Sequence, residues 1–152
     1  VELVETTVKV NDERKRAMAR KVVKALGGDL KGKTVGVLGL TFKPNTDDMR
    51  DAPSLAIIPA LIDKGARIQA FDPEGEEARK LLPDVEFKDD PYATATGADV
   101  LVIITEWDQF RALDLDRIKL LMTRPVMVDL RNIYKPADML ARGFEYSSIG
   151  RP

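Results

Sequence analysis

The sequence predicts an α/β fold, a doubly wound and mostly parallel sheet preceded by one long helix. Short apolar runs alternate with helical segments over residues 34–149, the pattern of a parallel sheet whose crossover connections are helices. Two runs, Thr34–Leu40 and Asp99–Thr105, are apolar through their centres, as is typical of strands buried on both faces. A segment with an amphipathic stripe precedes the first of these runs and predicts the long helix.

That first helix is predicted to run from Asn11 to Leu26. Asn11 is a favourable N-cap residue, and Gly27 and Gly28 end the helix. Residues Val1–Val10 alternate weakly and are predicted to form an extended lead-in. The apolar stripe of the helix has no earlier partner in the sequence, so it must pack on the residues that follow, on an absent domain or on a twin helix.

The remaining elements follow in order from apolar runs and helix punctuation. The predicted strands are Thr34–Leu40, Arg67–Phe71, Val85–Phe87, Asp99–Thr105, Pro125–Leu130 and Phe144–Ile149. The predicted helices are Ser54–Lys64, Glu76–Leu82, Pro91–Thr96, a turn near Phe110, Leu115–Met122 and Pro136–Arg142. Gly65 and Gly97 end two of the helices, and Pro59 predicts a kink or a shortened start in the first of them.

The composition excludes several classes of function. The chain has 152 residues, 44% hydrophobic and 32% charged, which is typical of a globular domain. A net charge of −1 predicts neither a nucleic acid nor a membrane surface as partner, and no apolar run is long enough to cross a bilayer. Cysteine and histidine are absent, which excludes a disulfide, a thiol nucleophile and a Cys/His zinc site within this chain. The predicted location is cytoplasmic.

Cationic side chains in the loop after the first strand are candidates for ligand binding. Parallel strands with right-handed crossovers bring the loops 41–53, 106–110 and 131–134 to one edge of the sheet. Lys43 and Arg50 in the first loop would bind phosphates or sugar hydroxyls of a ligand. Alternatively, they neutralise Asp47, Asp48 and Asp51 in the same loop. Adjacent acids of this kind are usually solvated, and since no third ligand is evident we predict no metal site.

Arg131 directly follows a buried strand and must therefore lie at the same edge. Its guanidinium would bind a base edge or a phosphate, or else would form an ion pair with Asp129 or cap a helix C-terminus. The residues alone favour one of these two structural roles over ligand binding.

Three other residues at this edge are predicted to be structural. Asp72 ends the second strand, where an acid grips a ribose in dinucleotide sites, but the first strand lacks the G-x-G-x-x-G fingerprint of those sites. Asp72 is therefore interpreted as a turn former before Pro73. Trp107 and Phe110 would stack on a ring of a ligand or pack under their loop, and packing is favoured.

The segment Gly39–Ser54 closely resembles the nucleotide-sugar 6-dehydrogenases and, among them, the bacterial UDP-glucose 6-dehydrogenases. Its sequence is Gly-Leu-Thr-Phe-Lys-Pro-Asn-Thr-Asp-Asp-Met-Arg-Asp-Ala-Pro-Ser. Further matches occur in family order at Asn11-Asp12, Gly65-Ala66, Phe71-Asp72-Pro73, Thr105-Glu106-Trp107 and Asp129-Leu130-Arg131-Asn132. Together they cover nearly the whole chain. Arg14 departs from the family pattern, in which many members have Gln.

The resemblance implies a chain of two parts within a longer enzyme. Residues 1–30 would be a lead-in and the end of a connecting helix, and residues 31–152 a Rossmann-like UDP-sugar-binding domain. The family's NAD-binding glycine fingerprint and catalytic cysteine would lie in a missing N-terminal domain. This chain would therefore hold no catalytic residue and be inactive alone. The whole enzyme would oxidise UDP-glucose to UDP-glucuronate in two hydride transfers to NAD.

The resemblance also implies roles for individual residues. Lys43 matches the lysine that contacts the sugar, Phe42 matches a residue lining the substrate pocket, and Arg131 matches an arginine at the uridine portion. Arg50 matches the arginine that reaches the NAD pyrophosphate. The helix over residues 11–26 would form a homodimer. Two alternatives stay open, namely a GDP-mannose or UDP-N-acetylhexosamine dehydrogenase, and a non-catalytic nucleotide-binding module.

Overall fold

The structure is a computed structural model that describes the backbone of residues 2–150 and the side chains of residues 12–150. Its helices are α1 Glu2–Ala25, α2 Ser54–Asp63, α3 Glu76–Leu81, α4 Pro91–Ala95, α5 Asp108–Arg111, α6 Leu115–Leu121 and α7 Pro136–Ala141. Its strands are β1 Thr34–Leu38, β2 Arg67–Phe71, β3 Glu86–Phe87, β4 Val100–Ile103, β5 Val126–Asp129 and β6 Glu145–Ser148. Every predicted strand is therefore confirmed, with shifts of one or two residues at several ends.

The predicted start of the first helix is wrong. Helix α1 already runs through residues 2–10, where an extended lead-in was expected, and Asn11 lies inside the helix instead of capping it. Val1 lies outside the described residues. The β-branched residues of this segment disfavour helix by only about 0.5 kcal/mol each. Extending an existing helix needs no new nucleus and adds one hydrogen bond per residue, which outweighs that preference.

The described strands form one sheet in the order β3-β2-β1-β4-β5-β6. All of its neighbouring pairs are parallel, so the fold is a doubly wound, Rossmann-like α/β sheet. The strand order reverses between β1 and β4, which are paired from Val35 with Val100 to Leu38 with Ile103. Connections leave β1 and β4 in opposite directions at this point, where open α/β sheets bind their ligands.

Two apolar cores lie on opposite faces of the sheet. Alternate residues of a strand point to opposite faces, and along β4 Val100 and Val102 belong to one core while Leu101 and Ile103 belong to the other. The first core contains residues of α1, α2 and α3, and the second contains residues of α4, α5, α6 and α7. Right-handed crossovers account for this division among α2 to α7, because the direction of winding reverses at β1.

Helix α1 covers the part of the first face that those crossovers leave open. It contacts α2, β4 and β5. Val22 of α1 and Leu26, directly after its end, lie in the first core at 0% and 5% exposure. Burying side chains of this size stabilises the fold by roughly 1.5–3 kcal/mol each. Of the three partners considered for the apolar stripe of α1, the structure thus shows that it packs on the residues that follow in the chain.

Candidate functional site

The buried carboxylate of Asp72 organises the carboxyl edge of the sheet. Its Oδ2 accepts hydrogen bonds from the backbone N–H of Leu40 at 2.7 Å and of Thr41 at 3.1 Å, and from the indole Nε1 of Trp107 at 3.2 Å. Its Oδ1 accepts from Glu74 N at 2.7 Å, which confirms the predicted turn. Protein donors from the loops after β1, β2 and β4 thus converge on one side chain that is 7% exposed.

The loops after β1 and β4 also touch each other directly. Thr105 Oγ1 donates to the carbonyl of Thr41 at 2.6 Å. Gly39 has φ +88°, and a Cβ at this position would lie 2.5 Å from the Cβ of Thr105, so only glycine permits the approach. Ser54 Oγ donates to the carbonyl of Leu40 at 2.6 Å and fixes the far end of the β1 loop. The loop over residues 41–53 is therefore held at both ends.

Phe42 and Lys43 lie on the exposed part of this loop. The backbone N–H of Phe42 donates to the carbonyl of Asp48 at 2.8 Å, which closes the loop, and the Phe42 side chain is 45% exposed. Lys43 is exposed, and among the described side chains it forms no ion pair within 4.0 Å. An exposed aromatic ring and an unpaired cation therefore adjoin the point where the sheet reverses its strand order.

Arg50 is paired with Asp48, as the alternative interpretation of the loop expected. Arg50 Nε lies 3.1 Å from Asp48 Oδ1 and Nη2 lies 3.0 Å from Oδ2, while the backbone N–H of Arg50 donates to Oδ1 at 2.9 Å. These hydrogen bonds lower the pKa of Asp48 to about 2, so its carboxylate is ionised at neutral pH. The Arg50 side chain is 90% exposed. It lines an open cavity of about 670 Å³ on the side of α2 and α3.

A second buried carboxylate, that of Asp129 at the end of β5, shapes the loop that carries Arg131. Asp129 Oδ2 accepts from Ile133 N at 2.8 Å, Tyr134 N at 3.1 Å and the Tyr146 hydroxyl at 2.6 Å. Its Oδ1 accepts from the backbone N–H of Arg131 at 3.0 Å. Since Asp129 binds the Arg131 backbone instead of its guanidinium, the predicted Arg131–Asp129 ion pair is wrong.

The guanidinium of Arg131 is paired with Glu106 from the loop after β4. Arg131 Nε lies 2.5 Å from Glu106 Oε2, and Nη2 lies 3.2 Å from Oε1. The two side chains are 31% and 27% exposed. This partner was not predicted, although the sequence placed both loops at the same edge. Asp129 is nearer in the sequence, but its carboxylate is bound by backbone N–H groups of residues 131, 133 and 134.

A cavity of about 540 Å³ separates Arg131 from α1. It is lined by Arg14, Ala17, Met18, Lys21, Leu130, Arg131 and Ile149. Met18, Leu130 and Ile149 give it an apolar wall, and three cations surround that wall. Within the described part of the chain, Arg14 and Lys21 form no ion pair. An apolar wall beside unpaired cations is suited to a ligand that joins a flat ring to anionic groups.

The predicted site residues thus share one edge of the sheet but not one cavity. Lys43 and Arg131 are connected through Thr41, Thr105 and Glu106, each bound to the next by a hydrogen bond or the chain itself. Arg50 lines a different cavity, which shares no lining residue with the one beside Arg131.

The aromatic residues and acids of the edge have structural roles. Trp107 and Phe110 are 8% and 0% exposed in the second core, and the rings of Phe110 and Phe71 meet edge-on at 6.3 Å. This confirms packing over ligand stacking.

Within the described residues there is no group of three or more acids, His or Cys that could hold a metal. Likewise, no described helix is long and apolar enough to span a bilayer.

Comparison with known proteins assigns the fold and the loops to a family. A family model of the UDP binding domain of the UDP-glucose/GDP-mannose dehydrogenase family matches residues 36–136, which include Lys43, Arg50 and Arg131. The chain belongs to the UDP-glucose/GDP-mannose dehydrogenase family. This confirms the resemblance found in the sequence, and the match spans the described sheet from β1 to the start of α7.

Relatives of this family extend the similarity over the whole chain. The chain is 61% identical over 153 aligned residues to a UDP-glucose 6-dehydrogenase of Rhizobium meliloti (strain 1021), covering 100% of this chain and 35% of that protein. A UDP-glucose dehydrogenase structure from the archaeon Pyrobaculum islandicum has 34% identity and a TM-score of 0.77, with 94% of this chain and 31% of that one covered. An NDP-N-acetyl-D-galactosaminuronic acid dehydrogenase from Methanosarcina mazei Go1 has 28% identity and a TM-score of 0.80, covering 94% and 30%. The chain thus spans about a third of the length of these relatives.

Replacing Asp72 with Asn tests whether its carboxylate holds the edge together. The amide keeps the volume of the side chain but offers one acceptor oxygen and a donor that faces other N–H groups. We expect the free energy of unfolding to fall by about 2–4 kcal/mol, as for other buried charged hydrogen bonds. Urea denaturation followed by circular dichroism measures this change.

The matched control for this experiment is Asp84→Asn, which makes the same replacement at an exposed residue between α3 and β3. It should change the free energy of unfolding by no more than about 0.5 kcal/mol. Equal stabilities of the two variants would contradict the role given to Asp72.

Proposed function

We propose that this chain is the UDP-sugar-binding portion of an NAD-dependent UDP-glucose 6-dehydrogenase. The observation that carries the proposal is Arg131, which lies within the family's UDP binding domain and lines a cavity that combines cations with an apolar wall. The high identity to a UDP-glucose 6-dehydrogenase supports this substrate over GDP-mannose or a UDP-N-acetylhexosamine. Family membership also favours an enzyme over a non-catalytic module.

The cavity beside α1 suits the nucleotide part of the substrate. A uracil ring is flat and largely apolar on its faces, so it fits against Met18, Leu130 and Ile149. The diphosphate adjoins the uridine portion and carries the negative charge, which Arg131 would balance. Arg14 and Lys21 form no ion pair with the described side chains and would add two further cations. A volume of about 540 Å³ lies within the usual range for ligand pockets.

The β1 loop would serve the rest of the reaction. We assign Phe42 and Lys43 to the sugar side, because an unpaired ammonium at the reversal of the strand order offers three donors to hydroxyl groups. Arg50 would contact the pyrophosphate of NAD. Asp48 holds the Nε edge of Arg50, so the exposed outer edge stays available to an anion from another domain.

This chain would bind and orient, while another part of the enzyme would carry out the oxidation. The conversion of a primary alcohol to a carboxylate removes four electrons as two hydrides, and NAD supplies the two acceptors when bound. The chain has no Cys or His to act as nucleophile or base. The domain that binds most of NAD is therefore a proposed partner, and we expect no oxidation of UDP-glucose by this chain alone.

We also propose the division of roles at residue 30, with residues 1–30 contributing to a homodimer and residues 31–152 to binding. Asp12, Glu13 and Arg16 of α1 are exposed, so their charges would pair across two copies, beside the buried stripe that holds α1 to its own sheet. Sedimentation velocity measures the mass. A strictly monomeric chain at concentrations of about 0.1 mM would contradict the dimer.

Calorimetric titration with UDP and with GDP tests the proposed ligand. We expect UDP to bind more tightly than GDP, and Arg131→Ala to weaken UDP binding by about 10- to 100-fold, the usual effect of losing a charged hydrogen-bond partner. Because Arg50 lies in a different cavity, Arg50→Ala is the matched control and should leave the dissociation constant for UDP unchanged.

Two results would contradict the proposal. Equal binding of UDP and GDP, unaffected by Arg131→Ala, would show that the cavity is not the nucleotide site. Production of NADH from UDP-glucose and NAD by the purified chain would show that the oxidation does not need a second domain.

A further inference from the structure

The ion pair between Glu106 and Arg131 fixes the direction of the guanidinium. Glu106 binds one edge of the guanidinium plane, through Nε and one hydrogen of Nη2. An arginine side chain has five N–H donors, so this arrangement leaves three, all on Nη1 and Nη2. Nη1 and Nη2 form the edge that can bind a phosphate through two parallel hydrogen bonds.

Both ends of Arg131 are held by acids, each at a different point. Asp129 binds its backbone N–H at 3.0 Å, and Glu106 binds its guanidinium. An arginine with a free side chain loses about 2 kcal/mol of rotamer entropy when a ligand fixes it. Prior fixation by Glu106 removes much of that loss from the binding step.

The residues on both sides of Glu106 are held by hydrogen bonds from their side chains. Its neighbour Thr105 donates to the carbonyl of Thr41, and its other neighbour Trp107 donates to the carboxylate of Asp72. Three consecutive residues after β4 therefore connect the loop of Lys43, the end of β2 and the guanidinium of Arg131. Two buried hydrogen bonds therefore oppose movement of Glu106, one to the β1 loop and one to the end of β2.

We propose that Glu106 is a positioning residue for nucleotide binding, which holds Arg131 so that its Nη1–Nη2 edge meets the diphosphate of a UDP-sugar. This inference rests on the proposed function. Glu106 touches no ligand in this account and acts only through Arg131. The negative charge of Glu106 also reduces the positive charge beside the cavity and so weakens the attraction for the diphosphate. The gain in affinity from positioning Arg131 must be larger than this loss.

A double-mutant cycle tests this balance. Calorimetric titration with UDP is carried out on the wild-type chain, Glu106→Ala, Arg131→Ala and the double variant. We expect Glu106→Ala to weaken UDP binding by about five- to tenfold, because the guanidinium becomes disordered before binding. In the Arg131→Ala background the same replacement should change the dissociation constant by less than about twofold, since no guanidinium remains to be positioned.

Two further variants separate positioning from general damage. Glu106→Gln keeps the shape of the side chain and one acceptor oxygen, so its UDP affinity should lie between those of the wild type and Glu106→Ala. Asp116→Ala removes the acid of another arginine pair, the exposed Arg142–Asp116 pair at 3.3 Å, and should leave UDP binding unchanged.

Each remaining outcome has a distinct meaning. Tighter UDP binding by Glu106→Ala would overturn the inference, because Glu106 would then be a competitor of the ligand. Unchanged UDP binding by Glu106→Ala would overturn it as well. Equal weakening in the wild-type and Arg131→Ala backgrounds would also overturn it, because the effect of Glu106 would then not depend on Arg131. If UDP binds and Arg131→Ala weakens it, the proposed function survives these results. If the wild-type chain does not bind UDP, the proposed function and the inference both fail.

Discussion

The carboxylate of Asp72 is the interaction on which the carboxyl edge depends. It sits at the end of β2, yet it accepts hydrogen bonds from the loops that follow β1, β2 and β4. The loops at this edge contain buried backbone N–H groups, and each buried group left without a hydrogen bond would cost about 1–3 kcal/mol. The carboxylate of Asp72 satisfies three such backbone donors, and it also accepts hydrogen bonds from the Thr41 hydroxyl and the Trp107 indole. It thereby fixes the spacing of the loops around the reversal of strand order.

Asp129 repeats this solution at the end of β5, where it gathers donors from residues 131–134 and from Tyr146. Between the two acids, the segment Thr105-Glu106-Trp107 connects the loops that they shape. Lys43 and Arg131 are consequently carried by loops whose backbone N–H groups are bound by the buried carboxylates of Asp72 and Asp129. Such a scaffold supports recognition of a charged ligand, because little of the binding energy is then spent on ordering the loops.

The fold was largely predictable from the sequence, because strands buried on both faces appear in the sequence as continuous apolar runs. Continuous apolar runs predicted β1 and β4, and their alternation with helices predicted a parallel sheet. The start of α1 was not predictable in the same way, since the β-branched residues of 1–10 favour strand locally while propagation of the helix favours the opposite. Local preference is weak beside cooperative extension.

The site was predictable as a set of loops but not as a set of partners. Topology placed residues 41–53, 106–110 and 131–134 at one edge, and the family resemblance selected Lys43, Arg50 and Arg131 from them. The sequence did not reveal that Asp129 binds backbone N–H groups or that Glu106 takes the guanidinium. Partners 25 residues apart are set by the spacing of β4 and β5, and spacing across a sheet leaves no periodic signal in a single sequence.

The central claim is that buried acids preform an edge at which Arg131 receives the diphosphate of a UDP-sugar. A crystal structure of the chain with UDP tests it most directly. We expect phosphate oxygens within about 3 Å of the Arg131 guanidinium, with the Glu106–Arg131 ion pair and the Asp72 hydrogen bonds retained. UDP bound away from Arg131, or a diphosphate that displaces Glu106 and rearranges the loop over residues 41–53, would contradict it.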